Sequence, residues 1–135
     1  MTLAVGYDGG DSAQHALRVA IDLARDLGEN LLLVCAVAPP GTVGEEYTAV
    51  ESALVEALSP ELVAGVEQAR AAGVEAEPIL IDADPVGALE TVMTTRSPRL
   101  LVIGYGSAGR IQAALFGAVA PQMIERSAIP VLVVP

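Results

Sequence analysis

Leu31-Leu32-Leu33-Val34-Cys35-Ala36-Val37 is apolar throughout, with no polar residue interrupting it. A strand with one wet face alternates apolar and polar residues. An unbroken run of this length suits a strand covered on both faces, as in a parallel sheet with helices on each side. The flanking sequence supports that reading. Upstream, Leu3-Ala4-Val5-Gly6-Tyr7 is a first strand, and Asp11-Ser12-Ala13-Gln14 opens a helix with Asp or Ser as its cap and Gln14 at the third capping-box position. Ala16, Leu17, Ala20, Leu23, Ala24 and Leu27 then recur at helical spacing, and Gly28 supplies a stop.

Downstream, Ala38-Pro39-Pro40-Gly41 ends the second strand. Val50, Leu54, Val55, Leu58, Leu62 and Val66 restore helical spacing between Glu45 and Ala72. Ser59-Pro60-Glu61 reads as a cap, a first-turn proline and a first-turn acid, so this region predicts two helical pieces or one kinked helix, closed by Gly73. Val74 to Ile81 is a third strand. Asp84-Pro85 starts a short helix to about Thr95 with Asp84 as its cap. Leu100 to Ile103 is a fourth strand, a glycine-rich loop spans Gly104 to Gly109, and a helix covers roughly Ile111 to Arg126 with Gly117 inside it. Pro130 to Pro135 is the last strand. Strands alternating with helices predict an α/β fold: a single-domain three-layer sandwich over residues 1–135, built on a five-stranded parallel sheet.

Composition narrows the chemistry. The 135 residues are 53% apolar but only 3% aromatic, so Val, Leu, Ile and Ala must build the core. Seventeen acids face seven bases, for a formal net charge of −10, and all seven bases are arginine. Without lysine there is no Schiff-base or Walker-A lysine. The acidic balance argues against a nucleic-acid surface and against an anionic membrane as partners. One cysteine and one histidine make neither an internal disulfide nor a structural zinc site. The opening residues lack the pattern of a signal peptide and no apolar run reaches ~18 residues, which together predict a cytoplasmic protein.

In a doubly wound sheet, ligands bind beyond the carboxyl ends of the strands, where the strand order reverses. Asp8-Gly9-Gly10 follows the first strand, and Gly104-Tyr105-Gly106-Ser107-Ala108-Gly109 follows the fourth. Neighbouring first and fourth strands would place Asp8 and Gly104 on one crevice. Glycines between strand and helix let backbone N–H groups approach phosphate, and Gly117-Ala118 offers a second such turn. The plainer reading makes each glycine a strand exit or helix joint. Gly104-x-Gly106-x-x-Gly109 also matches the dinucleotide fingerprint. That fingerprint wants an acid ~20 residues on, at the end of the next strand. Here the next strand ends in Val133-Val134-Pro135 and Glu125 lies within the preceding helix, so a nicotinamide enzyme is disfavoured.

With these residues in view, the chain resembles the universal stress protein family. The resemblance runs over essentially the whole length: Val5-Gly6-Tyr7-Asp8-Gly9 with Ser12, then Asp84 to Leu89, and most specifically Leu101 to Gly104, Leu115 to Val119 and Ile129 to Val134. It implies strand order 3-2-1-4-5, the adenine nucleotide alpha hydrolase-like arrangement. The ATP-binding branch of the family carries Gly-x-x-Gly, nine residues, then Gly-Ser or Gly-Thr. Gly104 and Gly117 hold the outer glycine positions, whereas Ser107 replaces the second glycine and Ala118 replaces the hydroxyl residue. By resemblance, Asp8 lies at the adenosine end and Ala36 presents backbone groups to adenine. Gly104, Ser107 and Gly117, with Gly106 and Gly109 beside them, line the ribose and phosphates, and the backbone N–H groups of Ala118 and Val119 lie beneath.

ATP with Mg is the implied ligand, bound more weakly than the intact motif would bind it. A lost hydroxyl-to-phosphate hydrogen bond is worth about 1.5–3 kcal/mol, or roughly ten- to a hundredfold in affinity. Ser107 adds about 1–2 kcal/mol if its φ must be positive. Arg110 either reaches a phosphate or is a solvated loop residue. The resemblance also implies a homodimer through the last strand, with Pro130, Val131, Leu132, Val133 and Val134 at its centre. The alternative is a family member that works as an interaction dimer without ATP.

The remaining polar residues form no catalytic set. His15 falls in the first turn of a helix with no nucleophile placed beside it, and Cys35 lies inside an apolar strand. Asp82 and Asp84 suit either a cation or, for Asp84 before Pro85, a helix cap. No metal site is expected.

Overall fold

The computed structural model describes residues 1–37, 44–105 and 119–135, and only the backbone for 44–55, 57 and 58. The elements run in order β1 (Thr2–Gly6), α1 (Asp11–Leu27), β2 (Asn30–Ala36), α2 (Gly44–Ala71), β3 (Ala76–Ile81), α3 (Pro85–Arg96), β4 (Leu100–Gly104), α4 (Val119–Arg126) and β5 (Val131–Val134). The five strands form one sheet in the order β3-β2-β1-β4-β5, parallel at every pairing. Fold class and strand order agree with the sequence reading.

Two buried clusters explain why the central strands need no polar alternation. On one face Leu3, Val5, Leu31, Leu33 and Cys35 pack against Ala16, Leu17 and Ala20 of α1 and Leu62 and Val66 of α2. On the other, Ala4, Leu32, Val34, Leu101 and Ile103 pack against Val86, Leu89 and Val92 of α3 and Ala120 and Met123 of α4. Successive residues of a strand point to opposite faces, so β1, β2 and β4 must be apolar at every buried position; the polar Thr2 and Asn30 stand only at the strand starts.

The two sheet edges differ in chemistry. Leu31 N–H donates to the Glu75 carbonyl and Val37 N–H to the Ile81 carbonyl. The odd-numbered residues of β3 therefore face β2, and the even-numbered ones, Pro78 among them, turn their backbone outward, where a missing N–H breaks no ladder bond. A two-pronged ion pair from Arg96 to Glu77, at 2.7 and 2.8 Å, adds charge to this edge. That hydrogen bonding holds the Glu77 carboxyl below its ordinary range. At the other edge, β5 is Val131-Leu132-Val133-Val134, with no charged residue.

The α1 cap and its capping box come out differently, and the two readings left open at Pro60 reduce to one. α1 is capped by Gly10 rather than by Asp11 or Ser12, and the cap has no side-chain hydrogen bond. Asp8 has already taken the Gly10 N–H at 2.8 Å, while Gln14 reaches back to the Gly9 carbonyl at 3.0 Å instead of closing a capping box. The region around Pro60 is one helix, Gly44–Ala71, with the proline inside it. Pro60 and Glu56, the residue whose carbonyl loses its partner, are both on the exposed side, where that loss is least costly. The expected Gly28 and Gly73 stops are present, at φ +68° and +82°. Asp84 caps α3 as expected, accepting from Gly87 N–H at 3.3 Å.

Candidate functional site

The chain leaves β1 through α1 toward β2, and leaves β4 in the opposite direction toward β5. α1 packs on one face of the sheet and α4 on the other. β1 and β4 are neighbours, in register at Leu3 with Leu100 and Val5 with Val102. Their exits therefore diverge across the switch point of the sheet, where such folds open a crevice.

The first wall is the β1–α1 connection. Tyr7 is buried, and its N–H donates to the Val34 carbonyl at 2.9 Å, carrying the β1–β2 pairing one residue past Gly6. Asp8 then folds over Gly10 N–H. Gly9 turns at φ +82°, and a Cβ there would lie 3.0–3.2 Å from Glu61 of α2. Glycine is needed both for that conformation and for that approach.

The second wall is the end of β4. A Cβ on Gly104 would lie 2.1 Å from Ser12 Oγ and 2.8 Å from the Ser12 carbonyl oxygen. The first turn of α1 thus rests directly on the β4 backbone. The Ser12 hydroxyl oxygen is buried and has no hydrogen-bond partner among the described residues. Tyr105, next in the chain, anchors its N–H to the Val134 carbonyl at 2.7 Å and leaves its ring exposed. Ala36 ends β2, and Val37 N–H donates to the Ile81 carbonyl at 3.0 Å.

Asp8, Ala36 and Gly104 therefore share the carboxyl rim of the sheet, and Val119 begins α4. Gly106, Ser107, Gly109, Gly117 and Ala118 lie outside the described residues, as does Arg110. Pro130 to Val134 are at the sheet edge. Two contacts at the rim were not foreseen from sequence: Ser12, read there as a cap and as part of the family resemblance, against Gly104, and Glu61, read there as a first-turn acid, against Gly9. Both contacts join residues far apart in the chain, and no local pattern announces them.

His15 is exposed in the first turn of α1, and its Nδ1–H donates to the backbone oxygen of Pro135 at 2.7 Å. It ties α1 to the end of β5, with no nucleophile beside it among the described residues. A shallow groove on α2, lined by Glu56, Ser59, Pro60, Val63, Ala64 and Glu67, is built from that one helix and belongs to neither wall. Among the described residues no group of three or more His, Cys, Asp or Glu side chains is placed to hold a metal ion. No described helix is long and apolar enough to cross a membrane.

Cys35 is 2% exposed, at the crevice end of β2. Burial, with the Asp8 charge adding to it, pushes its thiol from 9.0 up to about 12. In this interval the folded protein keeps a proton that the unfolded chain releases. Stability is then complete below about pH 9 and is lost as pH rises toward 12. At roughly 1.4 kcal/mol per unit, about 2 kcal/mol should be gone by pH 10.5. Denaturant titrations between pH 8 and 10.5 should show this slope in the wild type and a shallower one in Cys35→Ala. Equal slopes would mean that the thiol is not the titrating group.

Comparison with known proteins gives a consistent picture. The model of the universal stress protein family matches residues 1–135. The universal stress protein in QAH/OAS sulfhydrylase 3'region of Thermus aquaticus is 29% identical over 135 residues, covering 98% of this chain and 97% of its own. A universal stress protein solved in complex with cAMP superposes with a TM-score of 0.77 at 26% identity, over 100% of this chain and 97% of that one. The universal stress protein from Archaeoglobus fulgidus in complex with dAMP gives 0.73 at 25% identity, over 100% and 98%.

Proposed function

The chain belongs to the universal stress protein family, and from that premise we propose that it is a cytoplasmic stress-response regulator that binds an adenine nucleotide at the β1/β4 switch point. It acts as one domain over residues 1–135. Asp8 and Ala36 take the adenosine end. Gly104, Gly106, Ser107, Gly109 and Gly117, with the N–H groups of Ala118 and Val119, take the ribose and phosphate end. ATP with Mg is the ligand the family motif calls for, weakened here by Ser107 and Ala118. The protein works as a homodimer through β5, and it regulates by binding.

The observation that carries this reading is the divergence of the β1 and β4 exits, with the glycine-rich sequence starting at Gly104 on one side and the Asp8 turn on the other. The two structural neighbours bound to cAMP and dAMP support the choice of adenine.

Calorimetric titration with Mg-ATP and with AMP tests it, alongside amide NMR of the labelled protein. Binding is expected, with shifts gathered at Asp8 to Ser12, Ala36, Val37 and Gly104 to Val119. The amides of Thr2, Glu29 and Arg99, at the far end of the sheet, should stay still. An absence of heat up to millimolar ligand, in protein that gives a folded spectrum, would refute the nucleotide reading and leave the interaction dimer. Shifts centred on the far end would refute the location.

A further inference from the structure

We propose that the outward face of α2 around Pro60 is a docking surface for a basic amphipathic helix of another protein. The face belongs to neither wall of the crevice, so the proposal is independent of the nucleotide reading.

It starts from a proline where the fold needs none. Pro60 lies inside α2 and is exposed. Proline in a helix interior is costly, because it has no N–H for the carbonyl four residues back. Here that carbonyl belongs to Glu56, which is exposed as well. The side of α2 that meets the sheet is formed by Leu62, Val66 and Ala69, so packing gives Pro60 no role. Departures from local helix chemistry without a packing reason concentrate at functional sites.

The surface is apolar at its centre and acidic at its ends. Glu56, Ser59, Pro60, Val63, Ala64 and Glu67 line the shallow groove on α2. Intervals of four, seven and eleven residues from Glu56 keep Pro60, Val63 and Glu67 on nearly one line along the helix. Val63 is 56% exposed, and with Pro60 and Ala64 it makes one apolar floor. Glu56 and Glu67 close the two ends, ~16 Å apart at about 1.5 Å per residue. Neither carboxylate has an ion-pair partner among the described residues, and Arg70, one turn beyond Glu67, is not paired with it.

These features set the occupant. A shallow furrow on one helix takes the ridge of a second helix. That helix needs a narrow apolar stripe for the floor and a cation at each end of it, ~16 Å apart, to meet Glu56 and Glu67. At the Glu56 end, the carboxylate and the unpaired main-chain carbonyl are two acceptors on one residue, which suits the planar fork of an arginine. A second copy of this chain does not fit. Packed parallel it sets Glu56 against Glu56, packed antiparallel it sets Glu56 against Glu67, and like charges across an interface are costly. The net charge of −10 also repels a second copy and draws a basic partner. One helix face buries less than a standard interface, so the complex is transient.

The test uses the labelled full chain, amide NMR and two synthetic helical peptides with the same leucine stripe. One peptide carries an arginine at each end of the stripe, three turns apart, and the other carries glutamate there. The arginine peptide is expected to bind at least tenfold more tightly than the glutamate peptide, and to shift the amides between Glu56 and Gln68. Glu56→Gln with Glu67→Gln should weaken it about tenfold and flatten its salt dependence. Val63→Ser should weaken it severalfold and leave that salt dependence unchanged. Pro60→Ala returns a donor to the Glu56 carbonyl, so it should raise the melting temperature while weakening the arginine peptide severalfold. Equal binding of the two peptides, no binding of either up to millimolar concentration, or shifts away from this face would overturn the proposal. So would undiminished affinity in the double glutamine variant. A Pro60→Ala protein that binds like the wild type would overturn the role given to the carbonyl. Shifts between Glu56 and Gln68 that appear on concentrating the protein alone would assign the face to a second copy and overturn the choice of partner.

Discussion

Gly104→Ala should destabilise the protein by about 3 kcal/mol, measured by denaturant unfolding. The added Cβ would sit 2.1 Å from Ser12 Oγ, 2.8 Å from the Ser12 carbonyl oxygen and 2.9 Å from the carbonyl carbon. A hydroxyl can rotate away, but a helix backbone cannot. Overpacking a well-filled site costs about 1–3 kcal/mol, and relief here requires moving the first turn of α1 off the sheet, which places the effect at the upper end. Against a total stability of roughly 5–15 kcal/mol that is a large loss. Adding Ser12→Ala to the same chain should recover part of the loss by removing the hydroxyl clash, and leave the part due to the backbone. A Gly104→Ala protein within about 1 kcal/mol of wild type would show that α1 is not pressed on β4 as described. The result also governs how ligand binding is tested. A bulky residue at position 104 displaces α1 whether or not a phosphate ever lies beside it, so lost binding in such a variant reports on the fold.

Gly104 illustrates which parts of this protein can be read from its sequence. The order of elements is legible because Leu31 to Val37 and Leu100 to Ile103 admit one physical explanation, burial on both faces. The α3 cap is legible for a similar reason: Asp84 before Pro85 leaves a single way to start the helix. The α1 cap is not, because Asp8, Asp11 and Ser12 compete for the same few N–H groups. The Asp8 turn onto Gly10 wins through geometry that no propensity ranks. Pro60 leaves two readings open. Ser59-Pro60-Glu61 has the local chemistry of a helix start, and the packing of Leu62 and Val66 goes with the other reading, a single helix that runs through the proline.

The candidate site divides along the same line. Asp8 and Gly104 are found by locating the residues at the exits of β1 and β4, positions that the topology singles out before any coordinates exist. The contacts of Ser12 with Gly104 and Glu61 with Gly9 depend on how α1 and α2 lean across the sheet. Composition reports a net charge of −10 but not which charges meet; the pairing of Arg99 with Glu29 is read only from the fold.

Val133→Pro should convert the proposed β5 dimer into a folded monomer. Leu101 N–H donates to the Pro130 carbonyl at 3.0 Å and Tyr105 N–H to the Val134 carbonyl at 2.7 Å. Backbone polar groups alternate sides along a strand, so Pro130, Leu132 and Val134 face β4. Val131 and Val133 turn their N–H and C=O groups outward. A second copy pairing along this edge must use those outward groups. Proline at 133 removes one outward donor and sets a ring in the partner's path, while leaving the ladder to β4 intact. The β3 edge already shows the same substitution tolerated, with Pro78 at an outward position. That natural proline, with the Glu77–Arg96 pair, marks β3 as an edge protected against pairing, whereas the apolar β5 has no such guard. Sedimentation at micromolar concentration should show a dimer for the wild type and a monomer for Val133→Pro, a dissociation constant raised at least a hundredfold, with an unchanged far-ultraviolet spectrum. Glu77→Val, at the opposite edge, should leave the dimer as it is. A Val133→Pro protein that is folded and still dimeric would move the interface away from β5, and a wild type that is monomeric at these concentrations would remove the dimer altogether.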